Sequence, residues 1–230
     1  TKAHTLHLDS NSTATSLPYR KHREGRLLWS WSPGVEYELL SVKVSDDGNV
    51  VAVGYRRVGI VIRFILLSQT SYIAFWRNAK SLSGNNPSPT WTSVLLDFYL
   101  RILDISPNGN YVVAVGVARG SNKLAFWANA LELSGNVQAT WISGLNEAIY
   151  SSSKLRVSDD GNTIVFTTPY KAYYYLNCTT QAPTGPHKVA NMDNNAYIDV
   201  SSDGRYMAAA MLVAENNMRV YFYENGEKLW

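Results

Sequence analysis

Cysteine is nearly missing from this chain of 230 residues: Cys178 stands alone, so no intrachain disulfide can form. Small secreted domains often depend on such bridges, but a chain of this length can bury enough apolar surface to fold without them. Long apolar runs are missing too. The longest, residues 58–67, is broken by Arg63 and falls far short of the roughly 18 residues that a membrane-spanning helix requires. Thr1 opens a polar segment with no apolar leader behind it, so a cytosolic or already processed chain is expected. Charge is sparse, 21 Lys and Arg against 18 Asp and Glu. The excess belongs to residues 1–26, where Lys2, Arg20, Lys21, Arg23 and Arg26 face only Asp9 and Glu24. A nucleic-acid-binding body needs a basic face. Here the rest of the chain is formally neutral, and no nucleic-acid partner is expected.

Catalytic and metal-binding patterns are equally thin. The four histidines (His4, His7, His22 and His187) do not share metal-ligand spacing on one element. No Gly-x-Ser-x-Gly, phosphate-cradling glycine loop or His-Glu-x-x-His occurs. Ser151-Ser152-Ser153-Lys154 matches a Ser-x-x-Lys nucleophile in letters only. That chemistry needs the serine at a helix start, and this segment runs into the strand-like Leu155-Arg156-Val157. No enzyme activity, cofactor or metal is expected.

What the chain does have is a repeat. Four times an apolar run ends at a Ser followed by an Asx-Gly pair, a second apolar run follows, and an aromatic triplet closes on asparagine. The triplets lead to Asn78, Asn129, Asn177 and Asn225, which are 51, 48 and 48 residues apart. The first run alternates, as in Ser41-Val42-Lys43-Val44, so it has unlike faces. The second, as in Tyr111-Val112-Val113-Ala114-Val115, is continuously apolar and predicts a strand buried on both sides. Between them Gly48, Gly109, Gly161 and Gly204 are expected to supply the positive φ of two-residue hairpin turns. The carboxylates of Asp46, Asp47, Asp159, Asp160 and Asp203 belong to the same turns and need no ligand to explain them. A tryptophan-bearing fourth strand follows the aromatic one. Self-similarity at this period, built of strands, predicts an all-β chain, a β-propeller of about four four-stranded blades or a section of a larger one.

Residues 25–230 form this repeat domain and residues 1–24 an N-terminal arm. The first blade is enlarged: 30 residues separate Gly48 from Asn78, against 20, 16 and 21 in the other copies. The surplus reads as a long hairpin whose Ile60, Ile62 and Phe64 are candidates for contact with another chain. In the arm, the alternating Leu6 and Leu8 are candidates for strand addition to a partner's sheet edge. The two ends of the domain say the same phrase, Gly25-Arg26-Leu27-Leu28-Trp29 and Gly226-Glu227-Lys228-Leu229-Trp230. Closure of the ring by the N-terminal strand is expected, with two alternatives: a section of a longer repeat, or a terminal strand paired with a neighbouring molecule.

The Ser-Asp-Gly turn between apolar strands and the Gly-x-x-x-Trp phrases make residues 25–230 resemble bacterial or archaeal WD-repeat-like and quinoprotein-like propellers. No Trp-Asp or Gly-His dipeptide occurs, which departs from a standard WD repeat. The quinoprotein resemblance implies a redox enzyme holding pyrroloquinoline quinone as the alternative function. The sequons Asn11-Ser12-Thr13 and Asn177-Cys178-Thr179 are candidate glycosylation sites. The expected role is a non-enzymatic structural or interaction module, extracellular or at a cell surface, meeting a protein partner or its own copies through the arm or a terminal strand. An intracellular peptide-binding scaffold is the further alternative.

Overall fold

The repeating unit begins with a turn that its own side chains build. Ser45 N–H donates to the Val50 carbonyl at 3.0 Å, and Gly48 N–H to the Ser45 carbonyl at 2.8 Å. The Asp47 carboxylate accepts from the Ser45 hydroxyl (2.6 Å) and from Asn49 N–H (2.9 Å). Ser106 with Asn108, Ser158 with Asp160 and Ser201 with Asp203 repeat the arrangement. The loop therefore has four residues, not the two that the Asx-Gly pairs predict. The Asx side chain stands in for a backbone partner and favours a longer turn, with glycine in the left-handed region after it. The four glycines have φ of 71°, 75°, 71° and 68°.

The computed structural model describes residues 27–229, apart from 59–60, 63–64, 67–69, 95, 119–120, 146–152, 169–170, 181–182, 192–196 and 215–216. Each turn joins the inner two strands of an antiparallel sheet. Blade 1 runs Tyr37–Val44, Val51–Arg57, Ser71–Trp76 and Trp91–Ser93. Blade 2 runs Tyr99–Ile105, Val112–Ala118, Ser121–Trp127 and Trp141–Leu145. Blade 3 runs Leu155–Val157, Ile164–Thr167, Lys171–Leu176 and Thr184–Asn191, and blade 4 runs Tyr197–Val200, Tyr206–Ala214, Asn217–Glu224 and Glu227–Lys228. The fold is a β-propeller arrangement of four blades. After every third strand the asparagine takes positive φ (55°, 55°, 57° and 48°), a conformation asparagine tolerates better than most side chains.

The core lies between blades, not within them. Val50, Ala52, Ile73, Phe75 and Trp91 of blade 1 pack on Leu103, Ile105, Val112, Ala114 and Trp127 of blade 2. Val113, Leu124, Phe126 and Trp141 of blade 2 pack in turn on Leu155, Val157, Phe166 and Tyr175 of blade 3. Blade 3 meets blade 4 through Val165, Tyr174, Met207 and Tyr223. Middle strands are thus apolar on both faces because each face meets a different neighbour. Phe75 and Phe126 occupy one repeat position and are fully buried; Tyr174 is buried there and Phe222 half-buried.

Outer edges interlock in parallel. Gly135–Val137 of blade 2 pairs with the outer strand Trp91–Ser93 of blade 1. Gly84–Asn85 of blade 1 pairs in the same sense with Trp29–Ser30. Trp29–Ser30 thus lies against blade 1, where the outer strand of a preceding blade would lie. Among the described residues no strand pairing joins blade 4 to blade 1. In the enlarged hairpin Val61–Ile62 pairs with Ile65–Leu66. Ile60, Phe64, Leu6, Leu8 and Asn11 lie outside the described residues.

Candidate functional site

Three repeat-position features converge on the blade boundaries. The first is an indole hydrogen bond. Trp29 Nε1 donates to the Ala79 carbonyl (2.8 Å), Trp91 Nε1 to Ala130 (2.9 Å) and Trp141 Nε1 to Cys178 (2.7 Å). Each acceptor is the residue after the left-handed asparagine of the next blade. The outer strand of blade 3 has no tryptophan, and the Tyr174 hydroxyl takes over, donating to the Gly226 carbonyl at 3.1 Å. His187, beside Tyr174 in the outer strand, stacks on its ring at 4.9 Å.

The second feature is a ladder of charge along the inner strands. Two residues before the turn serine the four blades place Lys43, Asp104, Arg156 and Asp199, so the signs alternate. Lys43 Nζ meets Asp104 at 2.8 Å, and Arg156 reaches Asp104 at 3.8 Å and Asp199 at 4.0 Å. These side chains line a cleft of about 350 Å³ shared by all four inner strands. Asp104 is buried. Loss of hydration raises its carboxyl above the ordinary value, although Lys43 and Arg156 pull it down. No one residue type runs through this row, and only aspartate recurs, in alternate blades, which is why the row escapes a search for identical letters. Its sequence signal is that all four are ionisable.

The third feature is an apolar groove of about 530 Å³ on the free face of blade 1, lined by Trp29, Trp31, Leu40, Val42, Val51 and Val53. Trp31 meets Trp76 edge-on at 4.8 Å, and Trp29 lies 5.5 Å from the same ring. No cluster of three or more metal-ligating side chains occurs among the described residues.

The turn residues stand at the same boundaries. A Cβ on Gly109 would lie 2.6 Å from Val50, one on Gly161 2.5 Å from the Tyr111 ring, and one on Gly204 2.6 Å from Thr163. Each of these glycines is pressed against the preceding blade. Gly48, against which no described blade packs, meets only the end of Lys80 at 3.4 Å. The carboxylates of Asp47 and Asp203 are held below their ordinary range by the hydroxyls of Ser45 and Ser201. Asn177 is exposed at its turn, whereas Cys178 beside it is buried and its thiol is pushed up to about 12 by loss of hydration. Ile62 belongs to the two-stranded extension of blade 1.

No protein-family model matches the chain, and no curated protein matches it. Solved structures do. The chain is similar to the Dos1 propeller at 10% identity with a TM-score of 0.51, over 84% of this chain and 43% of that one. It is also similar to the β-propeller domain of the Trilobed protease from Pyrococcus furiosus, at 14% identity and a TM-score of 0.46. TolB from Acinetobacter baumannii matches at 13% identity and a TM-score of 0.46. The chain spans 56% of the length of the protease propeller and 42% of TolB, with 83% and 84% of itself aligned. These likenesses, which include both an enzyme's domain and TolB, concern the fold.

Proposed function

We propose that this chain is a non-enzymatic propeller module that joins other protein surfaces through the apolar face of its first blade. The observation that carries the reading is the groove bounded by Trp29, Trp31 and Val42, where an apolar sheet face meets solvent. Exposed contiguous apolar surface on a folded chain marks an interaction site. The ionisable residues of the inner-strand row are engaged with one another, which fits a scaffold better than a reaction centre. The indole hydrogen bonds give the Gly-x-x-x-Trp phrase a packing role that needs no cofactor.

We place the module outside the cell or on its surface, on the strength of the sequons at Asn11 and Asn177 and the low charge. Intact mass of the native protein tests this: a glycan at Asn177 supports it, and an unmodified chain in the cytosolic fraction removes it. The interaction reading is tested by cross-linking wild-type chain and Val42→Arg in the native extract. A species joined to wild type and lost in the variant supports it; equal recovery of every species, self-association included, overturns it.

A further inference from the structure

We propose that the outer edge of blade 2, the strand Trp141–Leu145, is a second binding site, which takes an extended segment of another protein as a parallel added strand. It shares no residue with the blade 1 groove and does not depend on it. The precedent lies in the molecule itself. The outer strand of blade 1 carries Gly135–Val137 on its outer edge, with Gly135 N–H donating to the Thr90 carbonyl (3.3 Å) and Val94 N–H to the Val137 carbonyl (2.8 Å). Trp29–Ser30 carries Gly84–Asn85 in the same sense. Both covering segments read Gly-Asn, and in both the asparagine meets a hydroxyl. Thr92 Oγ1 donates to Asn136 Oδ1 and Ser30 Oγ to Asn85 Oδ1, each at 2.8 Å. Trp141 stands opposite Phe126 as Trp91 stands opposite Phe75, so Thr140 and Gly144 occupy the places of Thr90 and Val94. Yet Trp141–Leu145 ends its sheet, and no described strand pairs with its outer side. The corresponding connection of blade 3, residues 178–183, contains neither glycine nor asparagine.

An uncovered edge is a template for strand addition unless its sequence blunts it. The edge of blade 3 is blunted. Thr184–Asn191 contains Pro186, which has no N–H, an exposed Lys188 and two register shifts, and the Tyr223 hydroxyl already holds the Val189 carbonyl at 2.7 Å. Trp141–Leu145 has no proline, no charge and no register shift. Blade 2 is flanked by blades 1 and 3, so its edge stands whatever precedes or follows the four blades. One residue sets what this edge selects. Where Thr92 and Ser30 offer a hydroxyl, blade 2 has Ile142, which is 50% exposed. An asparagine opposite Ile142 would lose its hydrogen-bond partner, whereas an aliphatic side chain would make an apolar cross-strand pair. The segment that fits is therefore extended, parallel to Trp141–Leu145 and aliphatic opposite Ile142. The residue after it is apolar too, as Val137 is where it packs at the boundary of blades 1 and 2.

Two synthetic peptides serve as probes: residues 133–139 as they stand in this chain, and the same segment carrying Asn136→Val. Each is titrated to millimolar concentration into the full isotope-labelled chain and followed by amide shifts. The valine peptide is expected to saturate shifts at Ile142 and Gly144 and to bind at least about threefold more tightly than the asparagine peptide. Ile142→Thr, made at an exposed position, gives blade 2 the hydroxyl that Thr92 offers in blade 1. It should reverse the order of the two peptides and leave the melting temperature unchanged. The Val42→Arg chain should bind both peptides as wild type does, so that the groove reading and this one stand or fall separately. No saturable shift at residues 140–144, shifts confined to Thr184–Asn191, or a peptide preference untouched by Ile142→Thr would each overturn the proposal.

Discussion

A tryptophan that donates its indole N–H across a blade boundary does two jobs, filling volume and satisfying a main-chain carbonyl. Trp91 and Trp127 separate them. Both are fully buried and stack on each other at 6.3 Å, but Trp91 bonds the Ala130 carbonyl while Trp127 Nε1 is buried without a hydrogen-bond partner. Phenylalanine at either position removes similar ring volume. Trp91→Phe additionally strands a buried acceptor, at about 1–3 kcal/mol, whereas Trp127→Phe deletes a donor that is already unmet. Urea denaturation should therefore find Trp91→Phe the less stable of the two by at least about 1 kcal/mol; equal losses would mean that the indole bond contributes nothing. Asp104 makes the other residue-scale prediction. Its folded-state carboxyl is raised, so the folded chain holds that proton more tightly than the unfolded one. The resulting stability is present below the ordinary value of 3.8 and is lost as pH rises through the folded-state value. The stability of wild type relative to Asp104→Asn should accordingly fall as pH is raised from 3.8 toward neutrality. A difference that stays flat or rises would show that Lys43 outweighs the burial. Asp104 was open to view in the sequence at the same repeat position as Lys43, Arg156 and Asp199. The carbonyls of Ala79, Ala130 and Cys178 were not, since a main-chain acceptor leaves no mark on residue type.

At the scale of the element, the four turns are chemically alike and differ in what stands before them. Gly48 and Gly161 have the same φ of 71°. Alanine at either costs about 1–2 kcal/mol of left-handed strain. At Gly161 the new Cβ would also press into the Tyr111 ring, adding roughly 1–3 kcal/mol of overpacking. Gly161→Ala should thus melt below Gly48→Ala, and a reversed order would mean that the turn does not sense the neighbouring blade. The turns and apolar strands were legible because each is specified locally: Ser and Asx two residues apart bond one another, and glycine relieves the backbone just beyond. The four-residue loop length was not legible, because Asp-Gly and Asn-Gly serve both short and long turns. Nor was the substitution of Tyr174 for a tryptophan in blade 3, because it moves the hydrogen bond to a different strand. Closure through the N-terminal strand was expected from the duplicated Gly-x-x-x-Trp phrase. That phrase specifies an outer strand without naming the blade it belongs to: among the described residues Trp29–Ser30 lies along Gly84–Asn85 of blade 1, and the outer strand of blade 4 is Glu227–Lys228.

For the whole molecule, each blade packs only on its neighbours, so stability is close to a sum of blades and boundaries. Among the described residues, blades 2 and 3 are covered on both faces and blades 1 and 4 on one. Amide exchange should rank them accordingly: Val112–Ala118 and Ile164–Thr167 should be protected longest, and Glu227–Lys228 should exchange first. Uniform protection across all four sheets would show that the outward faces of blades 1 and 4 are covered in solution. The nearest-neighbour construction also governs how the chain carries load. A tether fixed to the outer strand of blade 4 would peel one sheet at a time, and each event would release a repeat of 48 or 51 residues, or about 160–180 Å of extended backbone. Under tension the molecule would lengthen in discrete, recoverable steps, and a break at one end would stop at the next indole bond.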